Sequence, residues 1–291
     1  SESEIFFDQW NDVGTERRLD IVNRLVSLAQ ENTDLDFSSV FRQCLKDYDG
    51  SVRQRAIEGL WEYEDRLLIS PLCQLAREDS CLDVRAAAAL ALGKFAELAQ
   101  EGKLLRKDWI RIEDCLLNTL EDVDEELEVR RRALESVATF STENVTAYIL
   151  WAYESEDTDL RSSALYAMGK TGENAWLDVV LRELDSSVAP LRYEAVNACA
   201  VLEEEDAIPH LIPLMDDDDL QVQLAAVHAI GTIGGSLAKN ALKSCLEKGD
   251  PALEDAAREY LDEAIRLAPR TLDVVMVQER QDILEGQTSG S

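Results

Sequence analysis

The stretch DTDLRSSALYAMGKTG, residues 157–172, contains the pattern that decides the fold. An aliphatic residue and an arginine, Leu160 and Arg161, are followed by Ala164 and then by Met168. These apolar positions share one face of a 3.6-residue helix, so the stretch predicts an amphipathic helix that packs through small side chains. Asp157 precedes the arginine by four residues, which is where an N-cap residue is expected.

The same pattern recurs along most of the chain. With the arginine position taken as an anchor, the copies are anchored at residues 18, 53, 85, 130, 161, 192, 223 and 254. The last four intervals are each 31 residues, which indicates a repeat array rather than one compact core. The 45-residue interval between the anchors at 85 and 130 predicts an insertion near residues 98–113, of about one extra helical segment.

A second amphipathic segment precedes each anchor segment, as at residues 175–184, 208–215 and 237–246. One pair of such helices cannot bury both apolar faces, so neighbouring pairs must stack. The chain therefore predicts an all-α fold, an α-α superhelix of about seven to eight helical pairs over residues 1–268. Asp49, Asp157, Asp219 and Asp250 are predicted N-caps, and Pro251 a first helical residue. Residues 269–291 depart from the repeat and are expected to form a partly disordered C-terminal tail.

These features resemble HEAT repeats, in particular the short HEAT-like repeats of the phycobilisome-lyase type. The resemblance rests on the acidic cap, the aliphatic–arginine pair and the spaced alanine and aliphatic residues, and it covers about residues 15–267. It implies an armadillo/HEAT-like solenoid whose second helices line a concave surface. It also implies that the caps and arginines form structural ladders between repeats, comprising Asp49, Arg53, Arg85, Arg130, Asp157, Arg161, Arg192 and Asp219.

The charge of the chain limits its partners. With 59 acidic and 29 basic residues the net charge is -30, which repels phosphate backbones and anionic lipid headgroups. We therefore expect no nucleic acid and no membrane partner, but a protein or peptide with a basic patch; solubility alone is the open alternative. The six cysteines show no C-x-x-C spacing, which suits reduced core residues in a cytoplasmic protein.

The sequence offers no catalytic constellation. The only two histidines, His210 and His228, are not followed by glutamate, so the histidine–glutamate pairs of HEAT-type di-iron hydroxylases are absent. No phosphate-binding glycine loop or nucleophile elbow occurs either. We expect a protein that is not an enzyme and that needs no cofactor and no metal. The alternative is a phycobilin-lyase-like or other HEAT-type enzyme or chaperone acting on a tetrapyrrole-carrying protein.

The best local signal for binding lies at positions one and five residues after the anchors, which point away from the buried face. In the middle of the array these positions carry aromatic, amide and imidazole groups, a composition typical of protein-binding surfaces. The alternative is that the tyrosines only pack against their neighbours. The predicted protein-binding residues are Tyr166, Tyr193, Asn197, Leu224, His228, Arg131 and Glu135.

Overall fold

The computed structural model describes residues 10, 12–32, 34–248 and 251–267, and these contain fifteen α-helices and no strand. The helices fall into two compact units, one within residues 1–202 and the other within residues 203–291. The predicted cap Asp250 and the predicted tail, residues 269–291, lie outside the described residues.

Unit 1 contains eleven α-helices in its described residues. They are α1 (Thr15–Glu31), α2 (Ser38–Cys44), α3 (Gly50–Gly59), α4 (Ile69–Glu78), α5 (Leu82–Gln100), α6 (Arg106–Glu121), α7 (Leu127–Val137), α8 (Glu143–Tyr153), α9 (Thr158–Thr171), α10 (Leu177–Glu183) and α11 (Ala189–Leu202). The odd-numbered helices carry the anchors and pack in sequence, α1 against α3, α3 against α5, and so on to α11. The even-numbered helices are the predicted first helices of each pair.

Unit 2 contains four α-helices in its described residues: α12 (Ile208–Leu211), α13 (Leu220–Ile233), α14 (Gly235–Lys248) and α15 (Pro251–Leu267). The anchor helices α13 and α15 pack against each other, and α14 packs against both. Pro251 is the first residue of α15, as predicted. With α1 and seven complete pairs, the two units confirm the predicted all-α fold of stacked helical pairs.

The prediction of an extra helical segment between the anchors at 85 and 130 is wrong. Only α6 lies between the two anchor helices, and the additional residues lengthen α5 to 19 residues and α6 to 16. Helix α5 continues because Phe95, Ala96, Leu98 and Ala99 are all buried, so two further turns bury an apolar face.

Small residues allow the anchor helices of unit 1 to approach closely. Ala164, Ala167, Ala195 and Ala198 are buried where α9 meets α11. A Cβ atom built on Gly169 would lie 2.8 Å from the Ala198 Cα, so backbone atoms themselves limit the approach at this point. This explains why the repeat keeps small side chains at these positions.

The predicted caps are confirmed where the structure describes them. The Asp49 carboxylate accepts hydrogen bonds from the backbone N–H groups of Ser51 and Val52, at 2.9 and 3.4 Å. Asp157 accepts from Leu160 at 2.8 Å, and Asp219 caps α13 in the same way. Each carboxylate satisfies donors that the first turn of a helix otherwise leaves unpaired.

The arginine ladder exists, but its acids are not the predicted caps. Each of four arginines pairs with an acid that belongs to the next helical pair: Arg18 with Asp47, Arg53 with Asp79, Arg85 with Glu125, and Arg161 with Glu183. The cap carboxylates are already engaged by backbone N–H groups, so a separate acid meets each guanidinium. Helices α3 and α9 therefore use one acid as the cap and a different acid as the partner of the arginine, whereas α1 and α5 have no side-chain cap.

The remaining ladder residues bind main-chain oxygens. Arg130 donates to the Leu120 carbonyl at 3.0 Å and lies over the Trp151 ring, 4.4 Å from its centroid. Arg192 donates to the Ser186 carbonyl at 2.8 Å, six residues earlier in the chain. Gln223, which replaces the arginine in unit 2, keeps that same type of bond to the Asp217 carbonyl.

Candidate protein-binding groove

A groove of about 720 Å³ lies in unit 1, along the outward faces of α3, α5 and α7. Its lining includes Gln54 and Glu58 from α3 and Ala86 and Leu90 from α5. These four residues are at the positions one and five residues after their anchors, where the repeat pattern directs side chains outward. The repeat pattern that buries one face of each helix therefore also determines which residues line the groove.

Two large apolar side chains are exposed in this groove. Trp61, which follows α3, is 62% exposed, and Leu90 in α5 is 50% exposed. The Lys94 ammonium donates a hydrogen bond to the Trp61 carbonyl at 3.0 Å and lies 6.0 Å from the centroid of its ring. An exposed aromatic residue and an exposed leucine that line the same groove are typical of a binding surface. A partner that covered both side chains would remove a large apolar area from contact with water.

The charges in the groove nearly balance. Glu58 pairs with Arg55, and Glu128 accepts from Arg132 at 2.9 Å. Asp83 also lines the groove and, among the described residues, makes no ion pair or hydrogen bond through its carboxylate. The exposed surface of the groove is thus mostly apolar. The Asp83 carboxylate can accept a hydrogen bond from a ligand.

The predicted tyrosines lie on the outward faces of the next anchor helices in unit 1. Tyr166 in α9 is 43% exposed and Tyr193 in α11 is 36% exposed, while Asn197 is half-buried. Burial of part of its ring raises the pKa of Tyr166, with Lys170 acting in the opposite direction. The two rings are therefore neither core residues nor fully solvated.

Two other predicted binding residues are engaged within the fold. Arg131 Nε donates to Ser163 Oγ at 3.1 Å, and Ser163 Oγ donates to a Glu135 carboxylate oxygen at 2.5 Å. This network joins α7 to α9. Burial, reinforced by the nearby charge of Glu135, raises the pKa of Glu194 in α11 to about 7. Arg131 and Glu135 thus hold helices together, in addition to any role at the surface.

Leu224 and His228 belong to unit 2, on α13. Leu224 is half-buried and His228 is exposed. The His228 ring packs edge to face on Tyr260 with the centroids 5.4 Å apart, and its Nδ1 lies 3.4 Å from Thr232 Oγ1. This histidine is therefore oriented by contacts inside unit 2.

The described residues contain no group of three or more histidine, cysteine, aspartate or glutamate side chains with the geometry of a metal site. None of the described helices is both long enough and apolar enough to cross a membrane.

The exposed tryptophan lies outside the positions one and five residues after the anchors, on which the predicted binding residues are based. Trp61 follows its anchor Arg53 by eight residues, beyond the end of α3. The sequence signal for it was a large aromatic residue directly after the C-cap of α3, Leu60.

Two solved structures are similar to this chain. The complex of CpcE and CpcF of phycocyanin lyase from a Nostoc species is 20% identical, with a TM-score of 0.50, over 79% of this chain and 95% of that chain. YibA from Escherichia coli is 16% identical, with a TM-score of 0.47, over 86% of this chain and 97% of that chain. At such identities the similarity concerns the fold alone. Comparison with curated proteins gives no match.

The family model for HEAT repeats matches residues 38–107 and 177–262, which together are more than half of the chain. The match includes α3 and α5 of the groove in unit 1 and the anchor helix α13 of unit 2. It agrees with the resemblance that the repeat pattern indicated. The chain therefore belongs to the HEAT-repeat family.

Proposed function

We propose that this protein is a non-catalytic interaction scaffold, and that unit 1 binds a protein or peptide partner in the groove along α3, α5 and α7. The observation that carries the proposal is the pair of exposed apolar side chains, Trp61 and Leu90, in a groove of about 720 Å³. Aromatic anchors in such grooves commonly supply the largest share of binding free energy.

The groove favours a partner segment with one large apolar side chain and a neighbouring basic residue. The apolar side chain would pack between Trp61 and Leu90. The basic residue would donate to Asp83, the lining carboxylate that has no ion pair among the described residues. A charge-assisted hydrogen bond of this kind adds orientation as well as affinity.

Long-range charge supports the same class of partner. The residues that line the groove are nearly neutral in sum. A preference for positively charged partners must therefore come from the net charge of -30 over the whole chain. Such a field speeds the approach of basic proteins and opposes nucleic acids and anionic membranes. A cytoplasmic location is part of the same proposal, since it suits the six free thiols.

Tyr166, Tyr193 and Asn197 extend this proposed surface within unit 1. They are placed at the outward positions of α9 and α11, so a long partner segment would reach them after crossing α7. Their contribution is tested with Tyr166→Ala and Tyr193→Ala together. A partner that uses this extension should bind the double variant about tenfold or more weakly, mainly through faster dissociation.

The decisive experiment compares Trp61→Ala with Tyr48→Ala. Tyr48 is a matched control because it is an aromatic residue that is 83% exposed and does not line the groove. Each protein is immobilised, the stoichiometric partner is captured from the native source, and its affinity is then measured by titration. We expect Trp61→Ala to weaken binding by at least 30-fold, which corresponds to about 2 kcal/mol, and Tyr48→Ala to have little effect.

Equal affinity of the partner for wild type and for folded Trp61→Ala would remove this groove from consideration. The same preparation tests the alternative of a phycobilin-lyase-like enzyme or chaperone. A visible absorption band from a bound tetrapyrrole, in protein purified from its native source, would replace the scaffold proposal with that alternative.

A further inference from the structure

Two cysteines that are 42 residues apart in the chain meet in unit 1. Cys73 lies on α4 and Cys115 on α6. The Cys115 thiol lies 3.7 Å from the Cys73 carbonyl oxygen, and the Cys73 thiol lies 4.0 Å from the Arg111 carbonyl oxygen. Both thiols are free, and each points at a main-chain carbonyl oxygen of the other cysteine's helix. They form a dithiol across the interface between two first helices.

The dithiol ionises unevenly. The interaction with the nearby Cys73 thiol, together with the charge of Arg77, lowers the pKa of Cys115 although burial opposes this. The same interaction, together with burial, raises the pKa of Cys73. One proton is therefore lost readily from the pair and the second is retained, which provides the thiolate that a thiol–disulfide exchange requires.

The charged side chains around this dithiol have a net positive charge, in contrast to the chain as a whole, because three are cationic and two, Glu78 and Asp114, are acidic. Both cysteines line a cavity of about 500 Å³, together with the exposed side chains of Arg77, Lys107 and Arg111. None of these three cations forms an ion pair with an acid among the described residues. In a chain with 59 acidic and 29 basic residues, three unpaired cations around one cavity form a distinct anion-attracting site.

We propose that this cavity is a thiol–disulfide exchange site for an anionic low-molecular-weight disulfide such as glutathione disulfide. Arg77, Lys107 and Arg111 would bind its carboxylates. Glu78 and Asp114, which also line the cavity, would face its ammonium groups. This site is independent of the groove on the anchor helices.

The reaction proceeds in two balanced steps. Cys73, the more exposed thiol, passes its proton to the Cys115 thiolate and attacks one sulfur of the glutathione disulfide, which forms a mixed disulfide at Cys73 and releases one glutathione thiolate, which takes up a proton from solvent. Cys115 then loses its proton to solvent and attacks the Cys73 sulfur, releasing the second glutathione. The two protein thiols are oxidised to one disulfide between α4 and α6, and glutathione disulfide is reduced to two glutathione molecules.

The test uses the charge of the disulfide as the variable. The reduced full-length protein is treated with equal concentrations of anionic glutathione disulfide, neutral hydroxyethyl disulfide and cationic cystamine. Rates at each cysteine are followed by alkylation and peptide mass spectrometry, and each is divided by the rate of the same disulfide with a small model thiol. Cys81, the other half-buried cysteine among the described residues, reports reactivity outside the cavity.

We expect the normalised rate at Cys73 and Cys115 to favour glutathione disulfide over cystamine on the order of tenfold, although the chain as a whole attracts cations. The final product should be a disulfide joining Cys73 and Cys115. The combined substitution Arg77→Gln, Lys107→Gln and Arg111→Gln should abolish this preference and leave Cys81 unchanged. Cys115→Ser should stop the reaction at the mixed disulfide on Cys73.

A preference for cystamine, or equal normalised rates for the three disulfides, would overturn the assignment of an anionic ligand. A mixed disulfide that persists in the wild-type protein would overturn the second step. If the triple variant does not fold, salt dependence in the wild type decides the question, since added salt should slow the reaction with glutathione disulfide and leave that with hydroxyethyl disulfide nearly unchanged.

Discussion

Replacing Arg53 by methionine tests whether the arginine ladder holds consecutive repeats together. The Arg53 guanidinium donates to both carboxylate oxygens of Asp79, at 2.7 and 2.5 Å. It also donates to the main-chain oxygens of Asp47 and Tyr48, at 2.7 and 3.1 Å. The side chains of Arg53 and Asp79 are only 11% and 5% exposed. Methionine keeps much of the apolar volume while it removes all four hydrogen bonds.

The expected loss follows from what the substitution leaves behind. Asp79 would keep its hydrogen bond from the Cys81 amide, at 2.8 Å, and the more distant charge of Arg85, but the buried carboxylate would lose its ion-pair partner. Breaking a buried ion pair in this way costs about 3–5 kcal/mol. The matched control is Arg42→Met, whose ion pair with Asp65 is equally short at 2.6 Å but 29% and 41% exposed. Exposed pairs contribute about 0–1 kcal/mol, so the control should lose little.

The pH dependence gives a second, independent readout. Burial alone would raise the pKa of Asp79, but the hydrogen bonds from Arg53 and the Cys81 amide outweigh it and lower the pKa below 3.8. This contribution to stability is therefore present above about pH 4 and is lost as the pH falls through the folded-state pKa. Urea unfolding followed by circular dichroism at pH 7, 5 and 3 should show the difference between wild type and Arg53→Met shrinking at low pH. A loss no larger than that of Arg42→Met, constant with pH, would refute the reasoning.

Three further substitutions address single features of unit 1. Burial and a like charge raise the pKa of Glu194 to about 7, so wild-type stability should fall as the pH rises from about 4.5 to 7. Glu194→Gln should raise the free energy of unfolding by on the order of 1–3 kcal/mol at pH 8 but not at pH 5, and Glu62→Gln, at an exposed position, is the control substitution. Gly169→Ala should lower the free energy of unfolding by about 1–3 kcal/mol despite alanine's better helix propensity, because its Cβ meets the Ala198 backbone. Asp157→Ala should lower the free energy of unfolding, measured by thermal unfolding, by about 0.5–2 kcal/mol. Asp157→Asn should retain most of the wild-type stability, because asparagine is also a good N-cap residue.

The features that sequence predicted correctly are those decided within one helix or at its ends. The 31-residue repeat, the buried aliphatic positions and the caps at Asp49, Asp157 and Asp219 all depend on neighbours within a few residues. Helix periodicity and first-turn hydrogen bonding are local, so the anchor helices begin where the pattern indicated. The family resemblance followed from the same local pattern.

The features that sequence could not give depend on how one helix meets another. The acid that pairs with Arg85 is Glu125, 40 residues away, and nothing in the pattern distinguishes Glu125 from the other acids of its loop. The Cys73–Cys115 dithiol likewise requires the register between α4 and α6. Chain separation alone does not specify that register, because the interval between the two repeats includes an elongated α5.

The hydrogen-bond network between α7 and α9 changes which predicted residues are suited to binding a partner. Arg131 and Glu135 already bond to Ser163, so a partner that engaged them would first have to break bonds that hold two helices together. Breaking such bonds subtracts from the affinity, because buried polar groups that lose a partner cost about as much as a new hydrogen bond supplies. Binding energy must therefore come mainly from exposed apolar and aromatic side chains. For this reason the exposed Trp61 and Leu90, rather than the charged pair, define where a partner would gain most from contact with unit 1.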